Sequence, residues 1–333
     1  MESINLTIYT KYSSSYQSAV IDFTKHFLFF VSSIFGVYYF RESMASIATV
    51  PLLSLMLLRT FIIFHDCGHN SYTPNRSLNY LIGSICGPFV MTPFSWNSKH
   101  FMHHLTNGNI ENVHNYRWSE TVQYTVNQYN QLNSGYQLLY RIFRDPFVFF
   151  TVIPFFHFFI LSRVSILYSN GYNYTTRETT TDWIINNVGM VLQQYVYYKY
   201  SMIFHYNIAL YFTTIFGFVL FHNQHTFNPA YIKRNSEWSI RESGLEGSSF
   251  IQVPRFLKYF TMGIEYHHIH HFMTRIPGYN LQRCHEYMAT NTKMFDNIVI
   301  LSMKDVWCNI FLTLYDESSG RYIGFTELEN KIY

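Results

Sequence analysis

The run Leu57-Leu58-Arg59-Thr60-Phe61-Ile62-Ile63-Phe64-His65-Asp66-Cys67-Gly68-His69 carries an apolar segment straight into two histidines. The apolar part closes a stretch over residues 45–64, about the 20 residues a helix needs to cross the hydrocarbon core of a bilayer. A similar stretch over residues 24–40 precedes it across the polar hinge Arg41, Glu42 and Ser43. Together they read as a tight transmembrane hairpin that enters and leaves on one side. A second hairpin is predicted over residues 182–199 and 203–222. Its first arm holds Asn186, Asn187, Gln193 and Gln194, amides that need partners inside a membrane.

The expected fold is an all-α membrane protein, one domain over residues 1–333, with four transmembrane helices in two hairpins. A helical cap over residues 65–144 and 223–333 carries the histidines. Two further apolar stretches, residues 78–96 and 146–161, are broken by Pro88 and Pro93 in the first and Pro154 in the second. They are expected to be interfacial or re-entrant, because histidine groups can share one site only if the chain between them crosses an even number of times. The histidine side also holds most of the Lys and Arg, among them Lys99, Arg117, Arg141, Arg144, Lys233, Arg234, Arg255, Arg275 and Arg283. By the positive-inside rule that side is cytosolic.

Composition agrees with a membrane. Charged residues make up 13% of the chain, against roughly 25% in soluble globular proteins. Aromatics reach 20%, with 32 Phe and 29 Tyr, to which a coding bias would also contribute. The net charge of +3, without a clustered basic stripe, argues against a nucleic-acid partner. The four cysteines, Cys67, Cys86, Cys284 and Cys308, form no CxxC pair and suit a reducing compartment. Residues 1–20 are polar and lack the pattern of a signal peptide, so insertion is expected to rely on internal segments.

Eight of the 16 histidines fall into three groups: His65 and His69; His100, His103 and His104; His267, His270 and His271. Spacings of three and four put rings on one face of a helix, while the adjacent pair in each HxxHH lets two rings diverge towards two metals. With 16 histidines in 333 residues, one such triplet arises by chance in about 0.04 of chains. Neutral imidazoles packed together without a metal would leave polar groups unpaired, and imidazole suits several transition metals. His225, in Asn223-Gln224-His225-Thr226 at the end of the last predicted span, is a ninth candidate whose plainer reading is an interfacial histidine. His222 is expected to face lipid headgroups or Trp/Tyr partners. His26, His114, His157, His205, His268 and His285 are expected to be structural.

These residues resemble the membrane fatty acid desaturases, in particular the acyl-lipid omega-6 (delta-12) type whose first box is HxxxH. The strings that carry the resemblance are His65-Asp66-Cys67-Gly68-His69, Trp96 with His100, His103 and His104, Gln224-His225-Thr226, Gly247-Ser248-Ser249, Tyr266-His267-His268-Ile269-His270-His271 and Ile276-Pro277-Gly278-Tyr279-Asn280-Leu281. The resemblance implies two irons held by the eight box histidines and His225. It also implies dioxygen as co-substrate, electrons from a separate cytochrome b5 or ferredoxin, and a cis double bond placed in the acyl chain of a membrane lipid or an acyl-CoA. Such a protein would be a multi-pass membrane enzyme, of the endoplasmic reticulum in a eukaryote. Where the family often has Asn-Ile-Gly before the third box, this chain has Gly263-Ile264-Glu265, and residues 111–120 replace an Arg-rich run. Those departures bear on regiochemistry and on the electron donor. No His-Pro-Gly-Gly motif is present, which implies a separate electron carrier.

Four other readings compete. A hydroxylase on the same scaffold differs only in the fate of the carbon radical. A membrane zinc protease would use His65-Asp66-x-x-His69 as HExxH, with an Asp too short to serve as the base and two HxxHH groups left over. A carboxylate di-iron bundle would use Glu111-Asn112-Val113-His114 and Glu265-Tyr266-His267-His268, but its remaining helical glutamates are missing. A histidine-lined metal transporter would carry ionisable groups in mid-span, whereas these lie at span ends and in the cap.

Overall fold

The computed structural model describes residues 2–111, 123–163 and 176–332. The described residues are mostly helical, with two small two-stranded pairs and no closed sheet among them. In chain order the first elements are α1 (Glu2–Tyr12), α2 (Tyr16–Phe40), α3 (Ser46–Gly68), α4 (Arg76–Phe89), α5 (Trp96–Thr106), α6 (Val126–Asn130) and α7 (Ser134–Arg144). An irregular helix α8 (Val148–Arg163) follows, then α9 (Thr176–Lys199) and α10 (Ile203–His225). The cap continues with α11 (Ile240–Leu245), β1 (Phe250–Ile251), α12 (Lys258–Thr261), α13 (His267–Phe272) and α14 (Gly278–Asn291). It ends with β2 (Ile300–Leu301), α15 (Met303–Asn309), β3 (Leu314–Asp316), β4 (Arg321–Ile323) and α16 (Phe325–Ile332).

Helices α2, α3 and α10 are long and apolar enough to cross a membrane, and α7 with α8, bent by 65° at their junction, makes a fourth candidate if the pair is one span. Their outward faces are apolar as well. Phe27, Leu28 and Phe35 on α2 and Phe204, Phe212 and Phe216 on α10 are all exposed, an arrangement water would penalise and lipid would not. The helix over the predicted arm 182–199 is present as α9, but its amides keep it below the hydropathy of the other three. Those amides are partnered: Gln193 donates to the Tyr206 hydroxyl at 2.7 Å, and Asn207 of α10 donates to Gln194 at 2.9 Å.

The bundle centre is α3 packed on α10. Leu53, Leu57, Ala209 and Leu210 are buried between them, and small polar residues bring the backbones close. Thr213 Oγ1 donates across the interface to the Ser54 carbonyl at 2.8 Å, so the hydroxyl is satisfied within the helix pair. Helix α2 is fixed to α3 by an ion pair between Asp22 and Arg59. The Tyr72 hydroxyl donates to the same carboxylate at 3.0 Å, and the Arg59 guanidinium also donates to the Tyr259 carbonyl. This cluster joins the membrane hairpin to the turn before α4 and to the cap helix α12.

The cap closes over the histidine-bearing ends of α3 and α10. A parallel pairing of β1 with β2 and a bond from the Ile251 N–H to the Glu265 carbonyl at 3.0 Å fix the approach to α13. The Ser249 N–H donates to the Gln224 carbonyl at 3.0 Å, which ties that approach to the end of α10. Helix α1 lies on α14 through Ile8 and Tyr12, with the Lys11 ammonium 4.0 Å from the Tyr287 ring centre.

Removing Asp22 strands a guanidinium in a side-chain environment only 4% exposed. Asp22→Ala should therefore lower stability by about 3 kcal/mol, read as a lower unfolding temperature in detergent. An unchanged temperature would remove this pair from the contacts that hold α2 to α3.

Candidate metal centre

Four elements deliver the histidines. The last turn of α3 presents His65, with His69 as the residue that closes the helix, and α10 ends on His225. From the cap, α5 presents His100, His103 and His104, and α13 presents His267, His270 and His271. All nine predicted residues come together, in two groups: His65, His69, His100, His104 and His270, and His103, His225, His267 and His271. Within each group the possible ligand atoms lie within 4.8 Å of one another. The adjacent pairs diverge, His103 from His104 and His270 from His271, one member to each group.

The rings meet through their Nε2 atoms. His65 and His100 stand 2.8 Å apart, His100 and His104 3.0 Å, His104 and His270 3.2 Å. In the other group His225 lies 3.0 Å from both His103 and His267, and His103 3.3 Å from His271. What faces outward decides which nitrogen keeps its lone pair. His225 Nδ1–H donates to the Gly247 carbonyl at 3.1 Å, and His65 Nδ1–H donates to Asp66 at 3.1 Å, so in the neutral ring both Nε2 atoms are left as acceptors aimed inward. Asp66 is itself held, accepting the Gly278 N–H at 2.6 Å. The Trp96 indole stacks on His100, centre to centre 4.8 Å at 12°.

Electrostatics keeps these rings neutral. For His100, His103, His104, His267, His270 and His271, burial first and the repulsion of neighbouring imidazolium charge second push the pKa well below the usual histidine range. His69 Nε2 is buried with no hydrogen-bond partner among the described residues. Neutral nitrogens facing one another, with lone pairs exceeding donors, fit cations of imidazole-loving transition metals, two sites of which the donor set can hold. Neither group contains a carboxylate.

The other histidines are placed as follows. His222 departs from expectation: it is buried, donates through Nε2–H to the Asn309 carbonyl at 3.0 Å, and packs on Phe149 and Phe150, because α15 and α8 cover the end of α10. His268 turns away from both groups and bonds His285 at 3.1 Å beside Phe295. His26 bonds the Thr60 hydroxyl at 3.1 Å. His114, and with it the Glu111-x-x-His114 match, Arg117 and most of residues 111–120, lies outside the described residues.

A largely apolar cavity opens below the histidines. It contains about 880 Å³ of space not filled by protein, part of it open to the outside. His65, His100 and His267 form its head; Leu58, Ile62 and Leu210 are among the walls that run down between α3 and α10. No periodicity in the sequence distinguished these wall residues from ordinary packing. The roles of Asp66, Gly247 and Gly278 were equally hidden, although each sits in a string that carried the resemblance.

A helical bundle with an apolar cavity leading to two all-histidine groups is the class the fold and site define. The family profile described as "Fatty acid desaturase" matches residues 43–297, and the chain belongs to that family. It is 27% identical over 289 residues to a fatty acid desaturase of Bacillus subtilis, covering 86% of this chain and 79% of the relative. It is 28% identical over 253 residues to the sn-1 oleoyl-lipid 12-desaturase of Synechocystis, covering 71% and 66%. With the Arabidopsis thaliana acyl-lipid omega-3 desaturase (cytochrome b5) of the endoplasmic reticulum it shares 24% over 234 residues, covering 66% and 58%.

A Cβ at Gly278 would lie 2.5 Å from the Met262 carbonyl oxygen and 3.1 Å from Asp66 Oδ2. Gly278→Ala should displace the carboxylate that orients His65 and weaken metal binding about 10-fold or more, measured by titrating metal into stripped protein. Unaltered affinity would separate Asp66 from the centre.

Proposed function

We propose that this protein is a di-iron, dioxygen-dependent desaturase that places a cis double bond in a lipid acyl chain, of the delta-12/omega-6 type. The observation that carries the proposal is the position of the two histidine groups at the head of an apolar cavity. Two irons would be held by His65, His69, His100, His104 and His270 on one side and by His103, His225, His267 and His271 on the other. Once bound, they supply activation of dioxygen and the oxidant that removes hydrogen from an unactivated methylene. One dioxygen, two electrons, two protons and the two hydrogens lost by the chain leave as two waters.

The chain's own residues supply the rest. Asp66 and the Gly247 carbonyl hold His65 and His225 in the tautomer that aims Nε2 inward. Trp96 fixes the plane of His100. Leu58, Phe61, Phe158, Phe218 and Phe221 line a space suited to an acyl chain and poorly suited to water, which keeps competing reductants and solvent from the reacting carbon. Electrons come from a separate carrier, cytochrome b5 or ferredoxin, in keeping with the donor in the name of the Arabidopsis relative.

We further propose four spans, residues 24–40, 45–64, 182–199 and 203–222, with 78–96 and 146–161 interfacial and the cap on the cytosolic side. For α9, support comes from its exposed face of Val188, Val191, Leu192 and Tyr195, spaced three and four apart as on a lipid-facing helix. The delta-12 position is supported by the box strings and by the name of the Synechocystis relative.

Expression in a host that makes no polyunsaturated acids should yield a new diene, with the double-bond position read from derivatised methyl esters. His103→Ala and His270→Ala, one from each group, should each abolish the product and reduce the iron bound to purified protein. His268→Ala should keep most of both. A hydroxylated product would replace desaturation with hydroxylation; protein carrying one zinc and no iron would end the proposal.

A further inference from the structure

Three glycines of the helices are explained by what lies against them. A Cβ at Gly83 would sit 2.1 Å from Phe94 Cε2, one at Gly87 2.6 Å from the Thr92 carbonyl oxygen, and one at Gly189 2.7 Å from Pro88 Cγ. At each, the missing side chain makes room for a neighbouring segment, the loop after α4 at Gly83 and Gly87 and α4 itself at Gly189. Gly217 has no such neighbour. It lies inside α10, its φ is not positive, and a Cβ there would meet no heavy atom within 4 Å. A glycine inside a helix is less favourable than alanine on conformational entropy alone, so neither backbone geometry nor packing accounts for it.

The space beside Gly217 is the cavity, whose wall it helps to form. The α10 residues on that wall include Leu210, Thr213, Thr214, Gly217, Phe221 and Gln224, spaced three and four apart as on one helix face. Gln224 adjoins His225 at the metal-facing end. At about 1.5 Å of rise per residue, Gly217 lies about 10 Å further down, the length of several methylene groups. The next wall residues towards the histidines, Phe218, Leu220 and Phe221, are bulky; Gly217 is the gap that follows them.

We propose that Gly217 sets the acyl-chain length this protein accepts, because the open space at its Cα is the passage through which the part of the chain beyond the oxidised carbons continues past α10. The proposal rests on the acyl-chain reading of the cavity. A side chain at 217 would fill the lower passage and leave the space at His65, His100 and His267 as it is.

The test uses the full-length, iron-loaded protein in detergent and a series of saturated fatty acids of increasing length. Binding is followed by displacement of a fluorescent fatty acid, and turnover is followed on the matching acyl lipids. Gly217→Leu should lose about ten-fold or more in affinity for the longest chains and bind the shortest as the unaltered protein does. Gly217→Ala should fall between the two, with an unfolding temperature no lower than that of the unaltered protein. A length profile unchanged in both variants, or a loss equal at every length, overturns the assignment. If the unaltered protein binds the series but converts none of it, the desaturase reading fails while the binding profiles still decide the role of Gly217. If it binds no acyl chain, both fall.

Discussion

Nine imidazoles, seven buried and two half-buried, have their nitrogens turned towards one another, and a fold that does this must answer for the missing donors. Six Nε2 to Nε2 contacts are close enough for hydrogen bonds, yet a neutral ring has one N–H, and two of the rings already commit theirs outward, to Asp66 and to the Gly247 carbonyl. An unsatisfied buried polar group costs about 1–3 kcal/mol. Cations between the rings would turn each surplus lone pair from a penalty into a bond. The rest of the molecule follows from that demand: two membrane helices must end at the same level, and two cap helices must be laid across them.

Much of this was legible in the residues because metal ligation imposes spacing. Two histidines four apart at the end of an apolar run, and two HxxHH triplets, are constraints that ordinary packing does not generate, and the adjacency within each triplet already contained the split between the two groups. The hairpin of α2 and α3 was legible for a similar reason, since a bilayer fixes length and apolarity together. His225 stood outside the three groups, with only His222 at helical spacing, and its place at a span end marked it.

What stayed hidden depends on contacts between distant segments. His222 shares a helix end with His225, and nothing local says that the Asn309 carbonyl, from the far end of the cap, will occupy its Nε2. Asp66 read only as an acid too short to be a general base, and its partner, the Gly278 N–H, lies more than two hundred residues away. The cavity wall was invisible because Phe and Leu at helical spacing look the same whether they face lipid, a neighbour or an empty passage. Helix α9 blurred for the opposite reason: its amides read as unfavourable in a bilayer, and their partners on α10 could not be seen.

The interleaving of the two histidine groups also governs the order of events during biosynthesis. Each group takes at least one ring from α5 and at least one from α13, so neither can be completed until the ribosome has passed residue 270. By then α2, α3 and α10 have been synthesised and have had the opportunity to enter the bilayer. Completion of either group is thereby deferred to a late stage, when the insertion of the protein no longer depends on it.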